Sequence, residues 1–477
     1  MIPLSLAEIA ALTGGRQHDI TDPDARITGP VVIDSREAGP GALFAAFAGE
    51  RADGHDFAAG AVASGAVAVL ATRPVGAPAI VVDDVTRALG ALARHTVQTL
   101  GTQVVALTGS SGKTSTKDLI AQLLERLGPT VWPPGSFNNE IGLPLTALRT
   151  DEETRHLVLE MGARGIGHIR YLAELTPPRI GVVLNVGTAH IGEFGGRDQI
   201  AVAKGELVEV LPTAEEGGVA VLNADDPLVR AMSTRTSARV VLFGESPEAD
   251  VRAESVRLTE RGTPAFTLHT PTGCGDVTMR LYGEHHVSNA LAAAAVAHQL
   301  GMPAEDIADA LSTASTLSRW RMEVTERADG VTVVNDAYNA NPDSMRAALR
   351  ALSAMGSARA QAGEGQGGRT WAVLGEMAEL GDEALAEHDA IGRLAVRLNV
   401  SKLVAVGGRE AAWLDMGAKN EGSWGEESVH VSDAEAAVDL LRGELRSGDV
   451  VLVKASRSIG LERVANALLD EGEVSAR

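Results

Sequence analysis

Apolar residues recur along the chain in two patterns that predict its secondary structure. Near the start, short apolar runs at 31–33, 67–70 and 80–82 predict strands, and a helical patch such as 57–64 lies between them. Residues 1–84 are therefore predicted to form a small α/β domain.

From residue 85 onward, apolar runs alternate with longer helical patterns. In chain order these are helix 86–100, strand 104–107, helix 114–127, strand 157–159, strand 180–184 and helix 200–211. This alternation is typical of a doubly wound parallel sheet, which binds ligands at the carboxyl ends of its strands. Residues 219–281 add strands without long helices between them, and an alanine-rich helix follows at 289–300. We interpret 85–318 as a central domain.

A third alternating unit begins near residue 319. Its predicted elements are strand 332–334, helix 342–352, strand 371–374, helix 383–398, strand 403–406 and strand 450–453. We interpret 319–477 as a C-terminal Rossmann-like domain. Residues 356–369 are rich in Gly, Ala and Gln without apolar periodicity, so we expect a flexible surface loop there.

The charge of the chain narrows the classes of protein to which it can belong. Asp and Glu number 63 against 42 Lys and Arg, which gives a net charge of −21 over 477 residues. Such acidity argues against a general nucleic-acid binder, because a phosphate backbone needs a basic surface. We therefore expect no nucleic-acid partner.

The same sequence predicts a cytoplasmic protein without a membrane anchor. No uninterrupted apolar run approaches the roughly 18–20 residues that span a bilayer. The opening residues lack a basic start and carry Glu8 inside their apolar stretch. The single cysteine, Cys274, cannot form an internal disulfide, which suits a reducing compartment.

The sharpest local motif is a glycine loop between an apolar strand and an amphipathic helix. It consists of Gly109, Ser110, Ser111, Gly112, Lys113 and Thr114. Backbone N–H groups of such a loop face a phosphate chain, the lysine neutralises it, and the threonine hydroxyl ligates magnesium. The G-x-x-G-K-T spacing is shorter than the usual G-x-x-x-x-G-K-[ST], so an ordinary strand-to-helix turn is the alternative. We predict a P-loop nucleotide site in the central domain.

Two polar side chains close neighbouring strands of the same predicted sheet. Glu160 ends one strand and His190 follows the next, at the edge where the glycine loop lies. Magnesium prefers oxygen ligands such as a carboxylate. Taken alone, His190 would be a hydrogen-bonded structural histidine. Together with Glu160 and Thr114, it indicates a metal site.

Lysine is rare in this chain, and its scarcity draws attention to Lys204. Of the 42 cations only six are lysines. Lys204 begins a predicted helix that returns toward the glycine loop, where an ordinary helix-face cation is the alternative. A lysine, unlike an arginine, can lose its proton and react with carbon dioxide to give an anionic carbamate. Lys204 is therefore a candidate for such a carbamate ligand.

Taken together, the motifs resemble a known family over essentially the whole chain. They are TGSSGKT, SFNNEIGLP, LEMGA, NVGTAH, AKGE, GEHHVSNALAA, RMEV and NDAYNANPDSM. This set is similar to that of the Mur ligases of peptidoglycan synthesis. NDAYNANP and VLGEMAELG resemble most the member of the family that joins D-alanyl-D-alanine to a UDP-N-acetylmuramoyl-tripeptide.

The resemblance implies roles for individual residues. The lysine matching Lys204 is carbamylated and supports a second magnesium ion, which Glu160 and His190 ligate, while Thr114 serves the first. Lys113, Lys204, His190 and Arg321 are the implied catalytic residues. The nucleotide site gains Ser115, Asn289, Arg321, Asp336 and Asn339, and the substrate site gains Asn138 and Asn341. Arg321 is chosen over Arg319 because R-M-E fits the family's R-x-E pattern.

Both ends of the chain resemble substrate-side segments of the family. Ser35 and Arg36 lie in a segment similar to the one that holds the UDP moiety, and both are suitable for phosphate contacts. Lys454 begins a KASR segment that resembles K-G-S-[RH], with Ala455 where the family usually has glycine. Either the backbone there does not need a positive φ, or that contact is altered.

The resemblance implies a monomeric three-domain α/β enzyme with a UDP-substrate domain, a P-loop ATPase domain and a Rossmann-like domain. It would be an ATP-dependent amide ligase that joins UDP-MurNAc-tripeptide and D-Ala-D-Ala through an acyl phosphate. Its implied cofactors are ATP, two Mg²⁺ ions and carbamylated Lys204. The alternatives are another Mur-type ligase, such as the tripeptide-forming enzyme or a folylpolyglutamate synthase, and a P-loop NTPase switch that hydrolyses ATP without substrate.

Overall fold

The computed structural model describes residues 1–49, 52–187, 191–362, 368–422 and 427–474. Within these residues the backbone forms three α/β regions, which follow one another along the chain. Most neighbouring strands in each region are parallel.

The N-terminal region holds a short antiparallel pair and a mixed sheet. Its strands are β1 (Leu4–Ser5), β2 (Arg16–His18), β3 (Arg26–Ile27), β4 (Val31–Val32), β5 (Leu43–Ala45), β6 (Ala68–Ala71) and β7 (Ala79–Val81). Its helices are α1 (Leu6–Thr13), α2 (Ala58–Ala63) and α3 (Val85–Leu100). β1 pairs with β3, and the mixed sheet has the order β2-β7-β6-β5-β4. A capping box begins α1, in which Ser5 and Glu8 each accept a hydrogen bond from the other's backbone N–H.

The central region is built on one large sheet that carries the glycine loop. Its strands are β8 (Gln103–Thr108), β9 (Thr130–Val131), β10 (His156–Glu160), β11 (Ile180–Val183), β12 (Val219–Asn223), β13 (Arg239–Gly244), β14 (Val251–Leu258), β15 (Pro264–Thr270) and β16 (Gly273–Thr278). Its helices are α4 (Lys113–Glu125), α5 (Gly142–Ala147), α6 (His168–Leu175), α7 (Ile191–Phe194), α8 (Arg197–Glu209), α9 (Pro227–Arg230), α10 (His286–Gln299) and α11 (Ala304–Thr313). The order is β16-β15-β14-β13-β12-β11-β8-β10-β9, so β10 and β11 flank β8.

The C-terminal region is a second, mostly parallel sheet with helices on both faces. Its strands are β17 (Glu323–Glu326), β18 (Thr332–Asn335), β19 (Thr370–Gly375), β20 (Lys402–Val406), β21 (Ser428–Val431) and β22 (Val450–Lys454). Its helices are α12 (Pro342–Ala362), α13 (Ala384–Arg397), α14 (Arg409–Glu421), α15 (Ala434–Glu444) and α16 (Glu462–Val474). The order is β17-β18-β22-β19-β20-β21. Across the described residues, no helix combines the length and apolar character needed to cross a bilayer.

Apolar side chains on both faces of the sheets form the core. One face of the central sheet shares a cluster with the N-terminal region, to which Leu43, Leu89 and Leu159 belong. The other face packs against α4 and α10, around Leu119 and Leu291. Because a parallel sheet is covered on both faces, its strands are continuous apolar runs, and this is why the sequence pattern located them.

Helix α12 is longer than the sequence pattern predicted. It continues to Ala362, so the predicted loop at 356–369 is wrong for residues 356–362, while 363–367 lie outside the described residues. Ala, Arg and Gln are good helix formers even without apolar periodicity. Arg359 also fixes this end, because its Nη1 donates to the carbonyl of Gly448 at 3.1 Å and its Nη2 to Oγ1 of Thr332 at 2.5 Å.

Candidate active site

The glycine loop joins the end of β8 to the start of α4, where the sequence placed it. Gly112 has a φ of +77°, in the left-handed region that favours glycine. A Cβ atom at this position would lie 2.5 Å from Oδ1 of Asn289 on α10. Only glycine therefore lets the loop pass this close to α10. Asn289, predicted to contact ATP, lies directly against the loop.

A side chain that follows β11 holds the loop in place. Oδ1 of Asn185 accepts hydrogen bonds from the backbone N–H groups of Ser110 and Ser111, both at 2.9 Å. Oγ of Ser110 accepts a hydrogen bond from the N–H of Gly187 at 2.9 Å. Helix α4 then begins without a side-chain cap. The N–H groups of its first turn are therefore available to an anionic ligand.

Side chains from separate parts of the chain meet at the start of α4. Oγ1 of Thr114 donates to Oε2 of Glu160 at 2.9 Å and lies 2.8 Å from Oγ of Ser136. Nη2 of Arg321 donates to both hydroxyl oxygens, at 3.2 and 3.3 Å. Nδ2 of Asn138 donates to the other oxygen of Glu160 at 2.7 Å. A hydroxyl, a carboxylate and a guanidinium thus lie within reach of one ligand.

Burial lowers the pKa of two lysines at this place. Nζ of Lys113 donates to the carbonyl of Gly109 at 2.9 Å; burial lowers its pKa, Glu160 opposes that change, and Arg321 adds to it. Lys204 lies in the middle of α8 rather than at the helix start that was predicted, and it is only 5% exposed. Burial, and then the charge of Lys113, lower the pKa of Lys204 well below its ordinary value. A lowered pKa favours the neutral amine.

These side chains line a cavity of about 270 Å³, which the central and C-terminal regions form together. The predicted site residues along its wall are Ser110, Ser111, Gly112, Lys113, Thr114, Ser115, Asn138, Glu160, Lys204, Arg321, Asn339 and Asn341. Nδ2 of Asn341 also donates to the carbonyl of Ser110 at 3.4 Å. The C-terminal region thereby closes one side of the glycine loop.

The oxygen ligands at this cavity fit a magnesium ion that is bound together with phosphate. Such an ion keeps several waters and is held by one or two protein ligands plus phosphate oxygens. Thr114 and Glu160 supply that set, although the described residues contain no group of three or more His, Cys, Asp or Glu suited to a metal. Nε of Arg321 is buried without a hydrogen-bond partner among the described residues, which leaves a donor for a phosphate oxygen. The predicted ligand His190 lies outside the described residues.

Asp336 and Lys454, predicted to contact ATP and substrate, form a buried ion pair with each other. Nζ of Lys454 lies 2.5 Å from Oδ2 of Asp336 and donates to the carbonyl of Asn339 at 3.0 Å. Oδ1 of Asp336 accepts a hydrogen bond from the N–H of Met322 at 3.1 Å. The pair therefore braces the backbone that follows Arg321. Neither side chain is among the described residues that line the cavity.

The alanine in the KASR segment fits the backbone of this chain. Ala455 is not among the described residues with a positive φ, and its side chain is fully buried. Its Cβ lies 2.7 Å from the place where a Cβ on Gly375 would be. The first of the two alternatives thus holds, because the glycine that this close approach requires lies opposite, at the end of β19.

Ser35 and Arg36 lie in the N-terminal region, in a short 3-10 turn that follows Asp34. The guanidinium of Arg36 is 87% exposed and pairs with Asp34 at 2.5 Å. Hydrogen bonds from Arg36 lower the pKa of Asp34 to about 2. The carboxylate thus orients an exposed guanidinium, which remains accessible to a phosphate group.

Other residues at the site were not assigned from the sequence, among them Ser136, Tyr338 and Asn185. Ser136 and Tyr338 lie inside the motifs SFNNEIGLP and NDAYNANP, so their place in a motif was the available signal. The guanidinium carbon of Arg321 lies 4.3 Å from the centre of the Tyr338 ring, a cation–π contact. Asn185 could have been identified from its position, because it is a polar residue directly after a parallel strand.

Family models match most of the chain. The model described as "Mur ligase family, catalytic domain" matches residues 29–96, "Mur ligase middle domain" matches 107–297, and "Mur ligase, glutamate ligase domain" matches 320–457. Each match falls mainly within one of the three α/β regions.

Relatives of known function match over their full length. A protein named UDP-N-acetylmuramoyl-tripeptide--D-alanyl-D-alanine ligase from Mycobacterium tuberculosis (strain ATCC 25618 / H37Rv) is 52% identical, over 98% of each chain. The protein of that name from Escherichia coli (strain K12) is 36% identical, over 99% of this chain and 100% of its own.

Solved structures share the arrangement of all three regions. A crystal structure of MurF from Acinetobacter baumannii has a TM-score of 0.85 at 33% identity, and covers 98% of this chain and 99% of its own. The MurF ligase from Thermotoga maritima, in complex with ADP, has a TM-score of 0.79 at 30% identity, and covers 94% and 99%. The predicted three-domain α/β fold and the family resemblance are confirmed, and the chain belongs to the Mur ligase family, whose members are ATP-dependent ligases.

Proposed function

We propose that this enzyme joins D-alanyl-D-alanine to UDP-N-acetylmuramoyl-tripeptide, with conversion of ATP to ADP and phosphate. The observation that carries the proposal is the meeting of Lys113, Thr114, Glu160 and Arg321 at one cavity. The choice of substrates is supported by full-length relatives that bear the name of this ligase. The reaction would serve peptidoglycan synthesis, and thereby cell shape and division, in a cytoplasmic monomer.

The chemistry explains why the cavity needs so many cations. The tripeptide carboxylate attacks the γ-phosphorus of ATP, the bond to ADP breaks, and an acyl phosphate forms. The amine of D-Ala-D-Ala then attacks the acyl carbon, and phosphate leaves. Carboxylate and triphosphate repel each other, so the barrier falls only when positive groups hold them in line. Lys113 and Arg321 are the proposed side chains for this role.

The nucleotide is proposed to bind along the glycine loop. Backbone N–H groups of the first turn of α4, together with Ser115, would face its phosphates. Asn289, which touches Gly112, and Asn339, on the cavity wall, are proposed to contact ATP. Asp336 is proposed to act on ATP indirectly. Its ion pair with Lys454 holds its carboxylate, which accepts a hydrogen bond from Met322, the residue after Arg321.

Thr114 is proposed to serve one magnesium ion, and Glu160 and His190 are proposed to ligate a second. When bound, these ions would neutralise phosphate charge during transfer. Lys204 is proposed to carry a carbamate, formed when its neutral amine adds to carbon dioxide and releases a proton. Its burial and its lowered pKa support this proposal, because the neutral amine is the reactive form. The carbamate would supply an anionic oxygen pair for a second magnesium ion.

The UDP substrate is proposed to bind the N-terminal region and reach the cavity. Ser35 and Arg36 are the proposed contacts for its diphosphate, and Arg36 is exposed for that role. Asn138 and Asn341, on the cavity wall, are proposed to contact the peptide end. The predicted domains at 1–84, 85–318 and 319–477 would then hold substrate, ATP and the closing ligase surface.

Phosphate release against a panel of UDP-muramoyl peptides and amines tests this function. We expect release only with ATP, UDP-MurNAc-tripeptide and D-Ala-D-Ala together. A preference for an amino acid over the dipeptide would assign the chain to another Mur-type ligase. Steady ATP hydrolysis without either acceptor would favour the NTPase switch.

Substitution of Lys204 tests the carbamate. Lys204→Ala should lose most activity, and Lys204→Arg should lose as much, because arginine stays protonated and cannot add carbon dioxide. Acetate should restore part of the rate in the alanine variant alone, with an effect that rises with its concentration. Lys419→Ala, at an exposed lysine of α14, is the control and should be unaffected. A fully active Lys204→Arg enzyme would disprove the carbamate.

A further inference from the structure

A second lysine of α4, one turn after Lys113, is buried without a part in the proposed reaction. Lys117 is 1% exposed, and its Nζ lies 2.7 Å from Oδ1 of Asp118, which is 4% exposed. Two charges so deeply buried are costly unless their surroundings give them further hydrogen bonds. Those further bonds lead to two other parts of the chain.

The first partner of this pair is the segment that enters the C-terminal region. Oδ2 of Asp118 accepts a hydrogen bond from the N–H of Ser318 at 3.0 Å, and Oδ1 accepts one from its hydroxyl at 3.1 Å. One turn further along α4, the side-chain amide of Gln122 exchanges two hydrogen bonds of 3.0 Å with the backbone of Ser315. Helix α4 thus holds residues 315–318 through their backbone.

The second partner is the loop that carries Ser136. Nζ of Lys117 donates to the carbonyls of Pro133 and Gly135, at 2.9 and 3.1 Å. Ser136 is the next residue, and its hydroxyl accepts a hydrogen bond from Arg321 at 3.3 Å. One buried ammonium therefore fixes the backbone beside a contact of the active-site arginine.

The backbone on each side of Arg321 is unusual. Trp320 has a φ of +60° and Met322 a φ of +48°, both in the left-handed region that bulky side chains rarely adopt. Such conformations persist only where neighbouring contacts enforce them. Met322 is held from the C-terminal side by Asp336. Ser318 lies three residues before Arg321, and Asp118 of the central region holds it through a hydrogen bond.

We propose that Lys117 and Asp118 are positioning residues that set Arg321 in the nucleotide site. They anchor Ser318 and the loop 133–135 to the same helix whose first turn is proposed to bind phosphate. Arg321 and Ser136 are thereby placed against Thr114 together. This inference rests on the proposed role of Arg321.

A charge-neutral double variant, Lys117→Met with Asp118→Leu, tests the proposal. Replacing both members of a buried pair with apolar residues of similar volume is often tolerated, whereas removing one leaves an unpaired charge. A displaced Arg321 should lower kcat about 100-fold, as expected for a misplacement of about 1 Å. Glu125→Gln, at an exposed residue on the same helix, should leave kcat unchanged.

A double-mutant cycle with Arg321→Ala separates positioning from general support of the fold. If the pair acts through Arg321, adding Arg321→Ala to the double variant should lower kcat by no more than about twofold to threefold, since coupled residues are not additive. If the two losses multiply instead, the proposal is overturned. Leu268→Ala, at a buried residue of β15, is the control for lost stability. Any loss of kcat that it causes should multiply with the loss caused by Arg321→Ala.

Two further outcomes complete the test. Arg321→Ala in the otherwise unaltered enzyme must itself lower kcat; if it does not, the proposed role of Arg321 fails, and this inference with it. A wild-type kcat in the double variant would refute the positioning role alone. If the double variant does not fold, Ser318→Ala enters the same cycle, because it removes the hydrogen bonds of the Ser318 hydroxyl with Asp118 and Lys117 and keeps both charges.

Discussion

The buried pair of Lys454 and Asp336 gives a prediction that separates a structural role from a substrate contact. In Lys454→Ala the ammonium that lies 2.5 Å from Oδ2 of Asp336 is lost, together with its hydrogen bond to the carbonyl of Asn339. Asp336 is 7% exposed and would keep only its hydrogen bond from Met322 among those described. A nearly buried carboxylate would then be left without its cation.

The size of the effect follows from that burial. Removing one member of a buried ion pair costs about 3–5 kcal/mol, because the remaining charge stays desolvated. A domain holds about 5–15 kcal/mol of stability in total, so the variant should still fold. For a region of this size, each kcal/mol lowers the Tm by about 2–4 °C, which predicts a fall of about 10 °C.

Hydrogen exchange read by mass spectrometry measures this loss where it occurs. Amides of β18 and β22, the strands that carry Asn335 and Lys454, should lose protection, while β8 and β10 keep theirs. Arg442→Ala is the matched control, because it breaks a pair with Asp439 in which the two side chains are 49% and 78% exposed, and exposed pairs contribute about 0–1 kcal/mol. Unchanged protection with a raised KM for substrate would refute the structural role and favour direct substrate binding.

Three further changes have defined outcomes. Arg36→Ala should raise the KM for the UDP substrate and leave the KM for ATP unchanged in steady-state assays, since the guanidinium lies in the N-terminal region. An unchanged KM for the UDP substrate would show that Arg36 does not belong to that site. Gly375→Ala should lower the free energy of unfolding by about 1–3 kcal/mol, because its new Cβ would lie 2.7 Å from that of Ala455. Adding Ala455→Gly should restore the lost stability, and a failure to restore it would contradict the contact. Burial lowers the pKa of His285 from 6.5 to about 4, so the unfolded chain binds its proton first, and stability, complete above pH 6.5, should fall as the pH drops from 6.5 to about 4. The contribution of His285 to the slope should reach about 1.4 kcal/mol per pH unit, measured as the difference between the unaltered protein and His285→Gln in denaturant titrations; an equal slope in the two proteins would exclude this histidine.

Local patterns in the sequence were sufficient to locate the parts of the site that lie on one strand and in the loop that follows it. The run from 103 to 108 is buried on both faces, so its continuous apolar character shows in the sequence. The glycines and the Lys-Thr pair after this run are the residue types that a phosphate-binding loop requires, so they could be recognised in the sequence. Glu160 could be placed beside that loop because parallel strands end at a common edge.

Helical periodicity was less informative than strand composition in the C-terminal region. Helix α12 continues through residues 356–362, whose composition had suggested a loop, because Arg359 gains partners on Gly448 and Thr332. Those partners lie 89 and 27 residues away in sequence. A contact of that kind has no local signal.

The sequence by itself determined the fold class, the family and the residues of the glycine loop, because each depends on neighbours along one strand or turn. Only the tertiary structure decided which of these residues share a cavity. It placed Arg321 against Thr114 across 207 residues, and it turned Lys454 and Asp336 toward each other rather than toward the cavity. The physical reason is that burial and ion pairing depend on distances in space, which chain folding sets and which spacing along a sequence does not contain.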